Sequence, residues 1–295
     1  MGIQRRDFLK IAGAAGCALL SGGARTADAA KVSDVELNGM LIDSTKCIGC
    51  RACEEACNAA NALPKPEVSF SSEQVFETTR DTGTGAFTVV NRFPNPVDPE
   101  RPVFVRKQCN HCNQPACATA CLVKALEKHP EGPVVYNKDR CMGCRYCMIS
   151  CPFDVPKYEY DSAMPYVRKC VFCHERVRKG EQPACSEACP EGATLFGKRR
   201  ELMEIARERI YKNPDRYHPR IYGEHEAGGT AWLFLSGVPF EQVGFRGDIG
   251  SKSYPEMTTG FLYAVPHIFI LWPTFLFGLS YLSKRGGKED GHGEE

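Results

Sequence analysis

Cysteine is the residue type through which this sequence is best equipped to do chemistry. Seventeen of the 295 residues are cysteines, too many for an ordinary globular domain, and the chain is too long for a small disulfide-stapled scaffold. Sixteen of them form four quartets, which indicates bound metal. The quartets are Cys47, Cys50, Cys53 and Cys57; Cys109, Cys112, Cys117 and Cys121; Cys141, Cys144, Cys147 and Cys151; and Cys170, Cys173, Cys185 and Cys189.

The spacing within the quartets indicates which metal group is bound. The first and third quartets share the pattern C-x2-C-x2-C-x3-C, and Pro152 follows the third; this is the signature of a [4Fe–4S] cluster in bacterial ferredoxins. The second quartet widens one gap to four residues, and the fourth carries an eleven-residue insertion. At four thiolates per cluster, the sixteen cysteines predict four [4Fe–4S] clusters with no ligand left over.

Two other uses of cysteine fit this spacing poorly. Zinc modules use two C-x2-C pairs per ion and have no need for a third cysteine close behind. Disulfides suit an exported protein, but cysteines spaced as C-x2-C and C-x3-C are badly placed to pair with each other. A structural zinc-binding protein of the cell envelope is therefore the alternative from another functional class.

Each quartet follows a short run that predicts a β-strand, so a strand–loop–helix unit repeats four times. These runs are residues 40–43, 103–106, 134–136 and 166–168. Gly49 and Gly143 are the predicted cofactor-contacting residues, because glycine lets the backbone bend closely around a cluster. The fourth cysteine of each quartet is expected to begin a helix, and Pro152 and Pro190 are expected to fix the turn that follows.

The first 29 residues are predicted to be a signal peptide. Arg5 and Arg6 are followed by an apolar run over residues 11–20 and an A-x-A cleavage site at residues 27–29, which is the order of a signal peptide. The paired arginines resemble the twin-arginine (Tat) export signal of bacteria, a route that implies folding around cofactors before export. An anchoring helix is the alternative, but the apolar run is too short to span a bilayer. Cys17 would be removed with the signal.

A single transmembrane helix is predicted over residues 257–283. Residues 260–282 contain no Asp, Glu, Lys or Arg and would extend about 34 Å as a helix, enough to cross a bilayer. Basic residues follow at once, so the tail over residues 284–295 is expected in the cytoplasm and everything before the span outside. A buried core helix is the alternative, although such helices rarely run this far without charge. One helix cannot form a pathway alone, so an integral membrane partner is implied.

The rest of the chain is predicted to serve the cluster domain, which covers residues 30–200. Residues 201–256 form a helix and a partner-contacting segment. The apolar pattern over residues 198–212 predicts an amphipathic helix packed on the cluster domain, and residues 231–235 predict a strand. Residues 68–100 have the composition of an insertion. With a net charge of +1, the chain has no field of one sign to bind nucleic acid.

Three histidines stand near these predicted sites. His111 and His174 lie beside ligand cysteines, and such residues usually support the ligands from outside or face solvent. His267 lies inside the predicted span, where we expect a neutral ring that packs against a partner helix. No nucleophile–base set, phosphate-binding loop or dinucleotide fingerprint stands out in the sequence, so no catalytic residue is assigned.

Several longer segments, together with the quartets, resemble a known family. The segments are residues 39–57, 141–160, 222–224, 228–230 and 237–241, besides the signal and the single span. On these features the chain is similar to the four-cluster electron-transfer subunits of membrane-bound bacterial oxidoreductases. That family includes subunits of formate dehydrogenase, dimethyl sulfoxide reductase, nitrate reductase and polysulfide reductase. The strongest resemblance is to the HybA subunits of [NiFe] hydrogenase-2.

The resemblance implies an α+β fold of two bacterial-ferredoxin-like modules holding four [4Fe–4S] clusters, followed by one transmembrane helix. It also implies that quartets one and four share one pair of clusters and that quartets two and three share the other. The implied ligand sets are Cys47, Cys50, Cys53 with Cys189; Cys170, Cys173, Cys185 with Cys57; Cys109, Cys112, Cys117 with Cys151; and Cys141, Cys144, Cys147 with Cys121. Asn58 and Leu122 stand where a ferredoxin has proline, which alters the local turn and removes no ligand.

The function implied by the resemblance is electron relay without catalysis in this chain. The implied partners are the large and small subunits of a periplasmic [NiFe] hydrogenase and a quinone-reactive integral membrane subunit. The implied location is the periplasmic side of the bacterial inner membrane, within a respiratory chain. The alternative keeps the relay and replaces the hydrogenase with a molybdopterin enzyme of the formate dehydrogenase or polysulfide/thiosulfate reductase type.

Overall fold

A computed structural model describes residues 36–289, with side chains as far as residue 281. The predicted signal peptide lies outside the described residues. The β-strands are β1 (Asn38–Asp43), β2 (Thr88–Phe93), β3 (Val103–Gln108), β4 (Leu126–Lys128), β5 (Val134–Tyr136), β6 (Lys157–Tyr158), β7 (Val167–Arg168), β8 (Thr194–Lys198) and β9 (Trp232–Leu235). The α-helices are α1 (Ala52–Ala60), α2 (Ala116–Thr119), α3 (Tyr146–Ile149), α4 (His174–Arg178), α5 (Ala184–Glu187), α6 (Arg199–Lys212) and α7 (Tyr254–Glu289). Short 3-10 helices cover Glu73–Phe76, Lys138–Arg140, Glu226–Gly228 and Phe240–Val243.

β1 is the central strand of a three-stranded sheet in the order β8–β1–β9. It pairs antiparallel with β8 and parallel with β9. Because side chains alternate along a strand, Met40 and Ile42 join one hydrophobic cluster with Phe172 and Trp232, whereas Leu41 joins a second. The first cluster also contains cysteines of the quartets. One face of this sheet therefore packs directly against the cysteine loops.

α6 covers the opposite face of the sheet, as the apolar pattern over residues 198–212 predicted. Leu202, Met203 and Ala206 are buried on one side of the helix and pack in the second hydrophobic cluster. Full burial of a leucine-sized side chain stabilises the fold by about 1.5–3 kcal/mol. At the end of β1, the buried carboxylate of Asp43 accepts a 2.8 Å hydrogen bond from Arg209 Nη1, which fixes α6 to the strand that leads into the first quartet.

The four strands predicted ahead of the quartets are confirmed as β1, β3, β5 and β7. The last three each belong to a two-stranded antiparallel hairpin. The residues between the first two quartets contribute β2 and pack on α1. There, Arg51 Nη1 donates to the carbonyl oxygens of Ser69 and Phe70 at 2.9 and 3.1 Å. The insertion is thus held against the first quartet.

The prediction that the fourth cysteine begins a helix was wrong. The helices start one residue before the third cysteine of each quartet, at the first residues of α1, α2, α3 and α5. Their starts are set by the preceding backbone, which is left-handed at Arg51 and Arg145 and is proline at Pro115 and Pro183. In α1 the C-x3-C spacing places Cys57 one helical turn after Cys53 and on the same side, whereas α2, α3 and α5 end two residues before the fourth cysteine of their quartets.

Among residues 36–289, one helix is long and apolar enough to cross a membrane. It covers Tyr254–Tyr281, and its most apolar part is not buried against the rest of the protein, which suggests a C-terminal membrane anchor. Pro266 and Pro273 lie inside it without ending it. His267 Nδ1 lies 2.8 Å from the carbonyl oxygen of Tyr263, so this ring is bonded within its own helix near the first proline.

Candidate iron–sulfur centres

The structure brings the first and fourth quartets together. Cys47 lies near enough to Cys50 and Cys189 for their thiolate charges to interact. Cys53 interacts in the same way with Cys47 and Cys185. The three first cysteines of quartet one and the last of quartet four therefore face one space.

The first and fourth quartets make up the first module, and its second space lies one helical turn along α1. Cys57, the fourth cysteine of the first quartet, interacts with both Cys185 and Cys173 of the fourth quartet. Cys170 in turn interacts with Cys57 and Cys185. The two quartets thus exchange their fourth cysteines, and this exchange makes a pair of adjacent four-cysteine sites.

Quartets two and three form a similar arrangement. Cys112 interacts with Cys109, Cys117 and Cys151, which places the fourth cysteine of quartet three among the first three of quartet two.

The reciprocal site is built around the third quartet. Cys147 interacts with Cys121, Cys141 and Cys144, so the fourth cysteine of quartet two completes it. Cys117 interacts with Cys147 as well as with Cys151, and this brings the two sites of the module next to each other.

A pair of cysteines connects the sites of the two modules. Cys170 interacts with Cys109, so the inner site of the first module adjoins a site of the second. The four sites therefore lie in a linear order, which we name A to D. Site A holds Cys47, Cys50, Cys53 and Cys189; site B holds Cys57, Cys170, Cys173 and Cys185; site C holds Cys109, Cys112, Cys117 and Cys151; and site D holds Cys121, Cys141, Cys144 and Cys147.

The loops around the outer sites require glycine at the two predicted positions. Gly49 and Gly143 have φ angles of 74° and 73°, a left-handed conformation that glycine adopts without steric penalty. A Cβ on Gly49 would lie 2.4 Å from the Phe104 ring, and one on Gly143 would lie 2.8 Å from Tyr158 Oη. Both glycines permit close packing of the loop as well as its turn.

Backbone N–H groups point at several of the sulfurs. The amide of Ala125 lies 3.1 Å from Cys121 Sγ, and those of Gly143 and Phe172 lie 3.4 Å from Cys141 Sγ and Cys170 Sγ respectively. Donors of this kind stabilise negative charge on a ligand sulfur. The loop backbone is therefore arranged to support thiolates.

The thiols are free and crowded, which fits iron–sulfur ligation. All sixteen are unpaired in the described chain. Burial, which is the largest cause, and the neighbouring thiolates together raise the pKa of Cys53 and of Cys57 to about 12. Buried thiolates this close together are stable only when bound metal offsets their charge. The donor set therefore fits [4Fe–4S] clusters.

Three basic side chains near the sites were missed by the sequence analysis: Arg106 and Lys169, which are buried, and Lys128, which is partly buried. Arg106 lies near Cys53 and Cys185, and Lys169 lies near Cys117. Lys128 lies near the second quartet, and burial lowers its pKa to about 8. Arg106 and Lys169 lie in or next to the strands that precede the second and fourth quartets, and Lys128 ends the strand that follows the second quartet. The sequence shows these basic residues, but charged residues ordinarily face solvent.

His111 and His174 both lie beside ligand cysteines, and both are mostly buried. His111 Nδ1 accepts a 2.9 Å hydrogen bond from the backbone N–H of Val134, which ties β5 to the second quartet. Burial lowers the pKa of His111, so this ring is neutral at pH 7. His111 thus supports the second quartet from outside, as expected.

Comparisons with known proteins agree with this arrangement. Residues 38–59 match the 4Fe-4S binding domain family, and residues 101–199 match the 4Fe-4S dicluster domain family. The hydrogenase-2 operon protein HybA of Escherichia coli O157:H7 is 34% identical over 98% of this chain and 98% of its own length. The chain belongs to this family of 4Fe–4S ferredoxin-type electron-transfer subunits.

Two further relatives show the breadth of the family. A protein of Nitratidesulfovibrio vulgaris (strain Hildenborough) is 47% identical over 97% of this chain and 78% of its own. The iron–sulfur subunit of the nitrate-inducible formate dehydrogenase of Escherichia coli (strain K12) is 33% identical over 66% of each chain. The expected α+β fold with ferredoxin-type modules and the expected [4Fe–4S] cofactors are confirmed, and sixteen cysteines are consistent with four clusters.

Proposed function

We propose that this chain relays electrons between a periplasmic [NiFe] hydrogenase, with its large and small subunits, and a quinone-reactive membrane subunit. The hydrogenase assignment is supported by the likeness to HybA, which extends over 98% of the chain. The likeness to the formate dehydrogenase subunit extends over 66% of the chain, a smaller share than the likeness to HybA. We also propose sites A to D as the four ligand sets, with one cluster in each.

The exposure of the cysteines is the observation that carries the relay. Among the sixteen, Cys50 and Cys144 are exposed, whereas the others are buried or partly buried. These two belong to sites A and D, the ends of the linear order. Each bound [4Fe–4S] cluster exchanges one electron at a time. The chain thus offers one accessible terminus for a donor and another for an acceptor, with shielded sites between them.

The position of the membrane helix indicates which terminus faces the membrane. Ser253, the residue before α7, has its Oγ 2.5 Å from Gln114 Oε1, and Gln114 lies within the second quartet. Met142, Tyr146 and Ile149, all in the third quartet or its helix, are largely exposed. We therefore assign site D to the membrane partner and site A to the hydrogenase.

The topology follows from the two ends of the chain. We propose that residues 1–29 direct twin-arginine export, that residues 30–200 form the cluster domain, and that residues 201–256 contact partners. Residues 257–283 would anchor the chain and residues 284–295 would remain in the cytoplasm, because basic residues after a span favour that side. The cluster domain would then lie on the periplasmic face of the inner membrane.

The test has two steps on anaerobically purified full-length chain in its native complex. The chain should contain about sixteen iron atoms and as many acid-labile sulfides, at four of each per cluster. Electron paramagnetic resonance (EPR) signals should then appear when H2 is supplied to the native membranes. Signals that appear with formate and not with H2 would replace the hydrogenase with a molybdopterin enzyme. Zinc in place of iron would overturn the relay itself.

A further inference from the structure

Three metal-ligating side chains that belong to none of the four cysteine sites meet next to site B, where His174 directly follows Cys173. The side chains are those of His129, Glu131 and His174. One imidazole nitrogen of each histidine and one carboxylate oxygen of the glutamate all lie within 4.8 Å of one another. The two imidazole rings have centroids 4.4 Å apart and are inclined at 57°. His174 Nδ1 is buried and has no hydrogen-bond partner. None of these groups takes part in the electron relay proposed above.

The turn that carries His129 and Glu131 is held firmly by its backbone. The N–H of His129 donates to the Pro133 carbonyl at 2.8 Å, and the N–H of Gly132 donates to the His129 carbonyl at 3.0 Å. The Glu131 carbonyl also accepts from the N–H of Asn38 at 2.9 Å. The turn between β4 and β5 is thus anchored to β1, and its two side chains are presented from a fixed backbone.

His174 reaches this turn from the other module. It is the first residue of α4, which lies within the fourth quartet, whereas His129 and Glu131 lie between quartets two and three. A ligand bound by all three side chains would therefore connect the part of the fold around site B with the hairpin of sites C and D.

We propose that His129, Glu131 and His174 form a binding site for a divalent transition-metal ion of borderline softness, with Zn²⁺ as the expected occupant. Two imidazoles and one carboxylate are a ligand set that zinc uses, with metal–ligand distances of about 2.0–2.2 Å. Tetrahedral geometry at those distances separates the ligand atoms by about 3.3 Å. Because Glu131 is exposed and His129 partly exposed, small rotations of their side chains close the difference. Water fills the fourth position.

The chemistry distinguishes this site from the cysteine sites. Imidazole and carboxylate ligands suit Zn²⁺, Ni²⁺ or Cu²⁺, whereas four thiolates select an iron–sulfur cluster or a tetrathiolate zinc ion. An ion at this position would act as a clamp between modules and would carry no electron if it is Zn²⁺, which has no redox chemistry. The proposal therefore stands independently of which enzyme the chain serves.

The test uses Zn²⁺ as the probe on the full-length, cluster-loaded chain. The protein is dialysed anaerobically against micromolar free Zn²⁺, and zinc and iron per chain are then measured. X-ray absorption at the zinc edge identifies the ligand atoms. The variants are His129→Ala and Glu131→Gln, both at accessible positions. His225→Ala is the matched control. His225 Nε2 lies 3.7 Å from Glu224 Oε1, but among the described residues it belongs to no group of three metal-ligating side chains.

The expected result is about one zinc ion per chain bound by nitrogen and oxygen without sulfur. Each site variant should weaken zinc binding about 10- to 100-fold, at least as much as loss of a supporting residue would. Zinc binding by His225→Ala should equal that of the wild type, and the iron content should be the same in all variants. No zinc uptake, a sulfur-containing shell, or retention in both site variants would overturn the proposal. Iron content reports separately on the relay, so the two proposals can fail independently.

Discussion

The guanidinium carbon of Arg106 lies 4.9 Å from the centre of the Trp232 ring, inside the sheet-packed core of the first module. Its Nε donates to Thr88 Oγ1 at 2.8 Å, and the side chain interacts with Cys53 and Cys185. These thiolates outweigh the effect of burial and raise the pKa of Arg106. A permanent positive charge therefore lies between sites A and B.

Replacing this charge should shift the reduction potential of a cluster at site A or B. A buried cation favours the reduced, more negative form, so Arg106→Gln should lower the potential. A unit charge at contact distance is worth about 1–4 kcal/mol in water-like to protein-like surroundings, or about 40–170 mV for one electron. EPR-monitored redox titration measures the shift. Arg106→Lys keeps the charge and should restore most of the potential, and an unchanged potential in Arg106→Gln would contradict the prediction.

Glu54 should be essential for attaching the insertion to the first quartet. Its buried carboxylate accepts hydrogen bonds from Arg51 at 2.9 Å, from Arg80 at 2.6 Å and from the N–H of Val90 at 2.6 Å. Glu54→Gln leaves two guanidinium groups without their counter-charge, and breaking a buried pair in this way costs about 3–5 kcal/mol.

The measurement for Glu54→Gln is the rate at which the iron–sulfur absorbance bleaches in urea, together with protease cleavage within residues 68–100. Both should increase. Glu55→Gln is the matched control, because Glu55 is the exposed neighbour on the same helix and should leave both rates near those of the wild type. Equal rates in the two variants would show that the buried carboxylate does not hold the insertion.

Gly49 should tolerate alanine much less well than another left-handed glycine. Gly49→Ala incurs the backbone penalty of about 1–2 kcal/mol for a left-handed L-residue and also places a methyl group 2.4 Å from the Phe104 ring. Gly180 has a φ angle of 81°, and a Cβ added there would meet no described atom within 4 Å, so Gly180→Ala incurs the backbone penalty alone.

The readout for the two glycine variants is iron content per chain after purification. Gly49→Ala should lose the cluster at site A, which amounts to about a quarter of the iron at four clusters per chain. Gly180→Ala should keep its full iron content. Similar losses in both would mean that the left-handed backbone alone, and not the contact with Phe104, limits this loop.

The sequence predicted the cysteine quartets, the strands before them, the helix over residues 198–212 and the apolar helix at the C-terminus, because each depends on a local pattern. It did not predict Arg106 or Glu54 as buried charges. Each of them has a partner far along the chain: Glu54 accepts from Val90, 36 residues away, and Arg106 donates to Thr194, 88 residues away. Hydrophobic periodicity reports on local structure and does not reveal such distant pairs. The helix starts were misplaced for a similar reason, since left-handed φ angles at arginine carry no composition signal.

The exchange of fourth cysteines should appear in single substitutions. Cys189→Ser and Cys47→Ser should alter the same EPR signal, because both side chains belong to site A. Cys57→Ser should alter a different signal, although it belongs to the same sequence quartet as Cys47. If Cys57→Ser and Cys47→Ser instead affected one common signal, each quartet would hold its own cluster and the proposed ligand sets would be wrong.

Removing the iron should leave a chain whose stability falls as the pH rises. Without iron, burial raises the pKa of the Cys53 and Cys57 thiols to about 12, whereas an unfolded cysteine titrates near about 8.5. Between these values the unfolded chain releases protons that the folded chain retains, so stability is present below about pH 8.5 and is lost as the pH rises toward 12.

Near-UV circular dichroism of the chelator-treated chain, kept anaerobic with a reductant, measures this effect. The signal should be weaker at about pH 9.5 than at pH 7, because the pH then exceeds the unfolded thiol pKa of about 8.5. The cluster-loaded chain is the control, since its ligand thiolates are already deprotonated by iron and have no proton to release. A pH response of equal size in both forms would place its origin in groups other than the ligand cysteines, and those cysteines would then not be the buried thiols that limit the stability of the cluster-free fold.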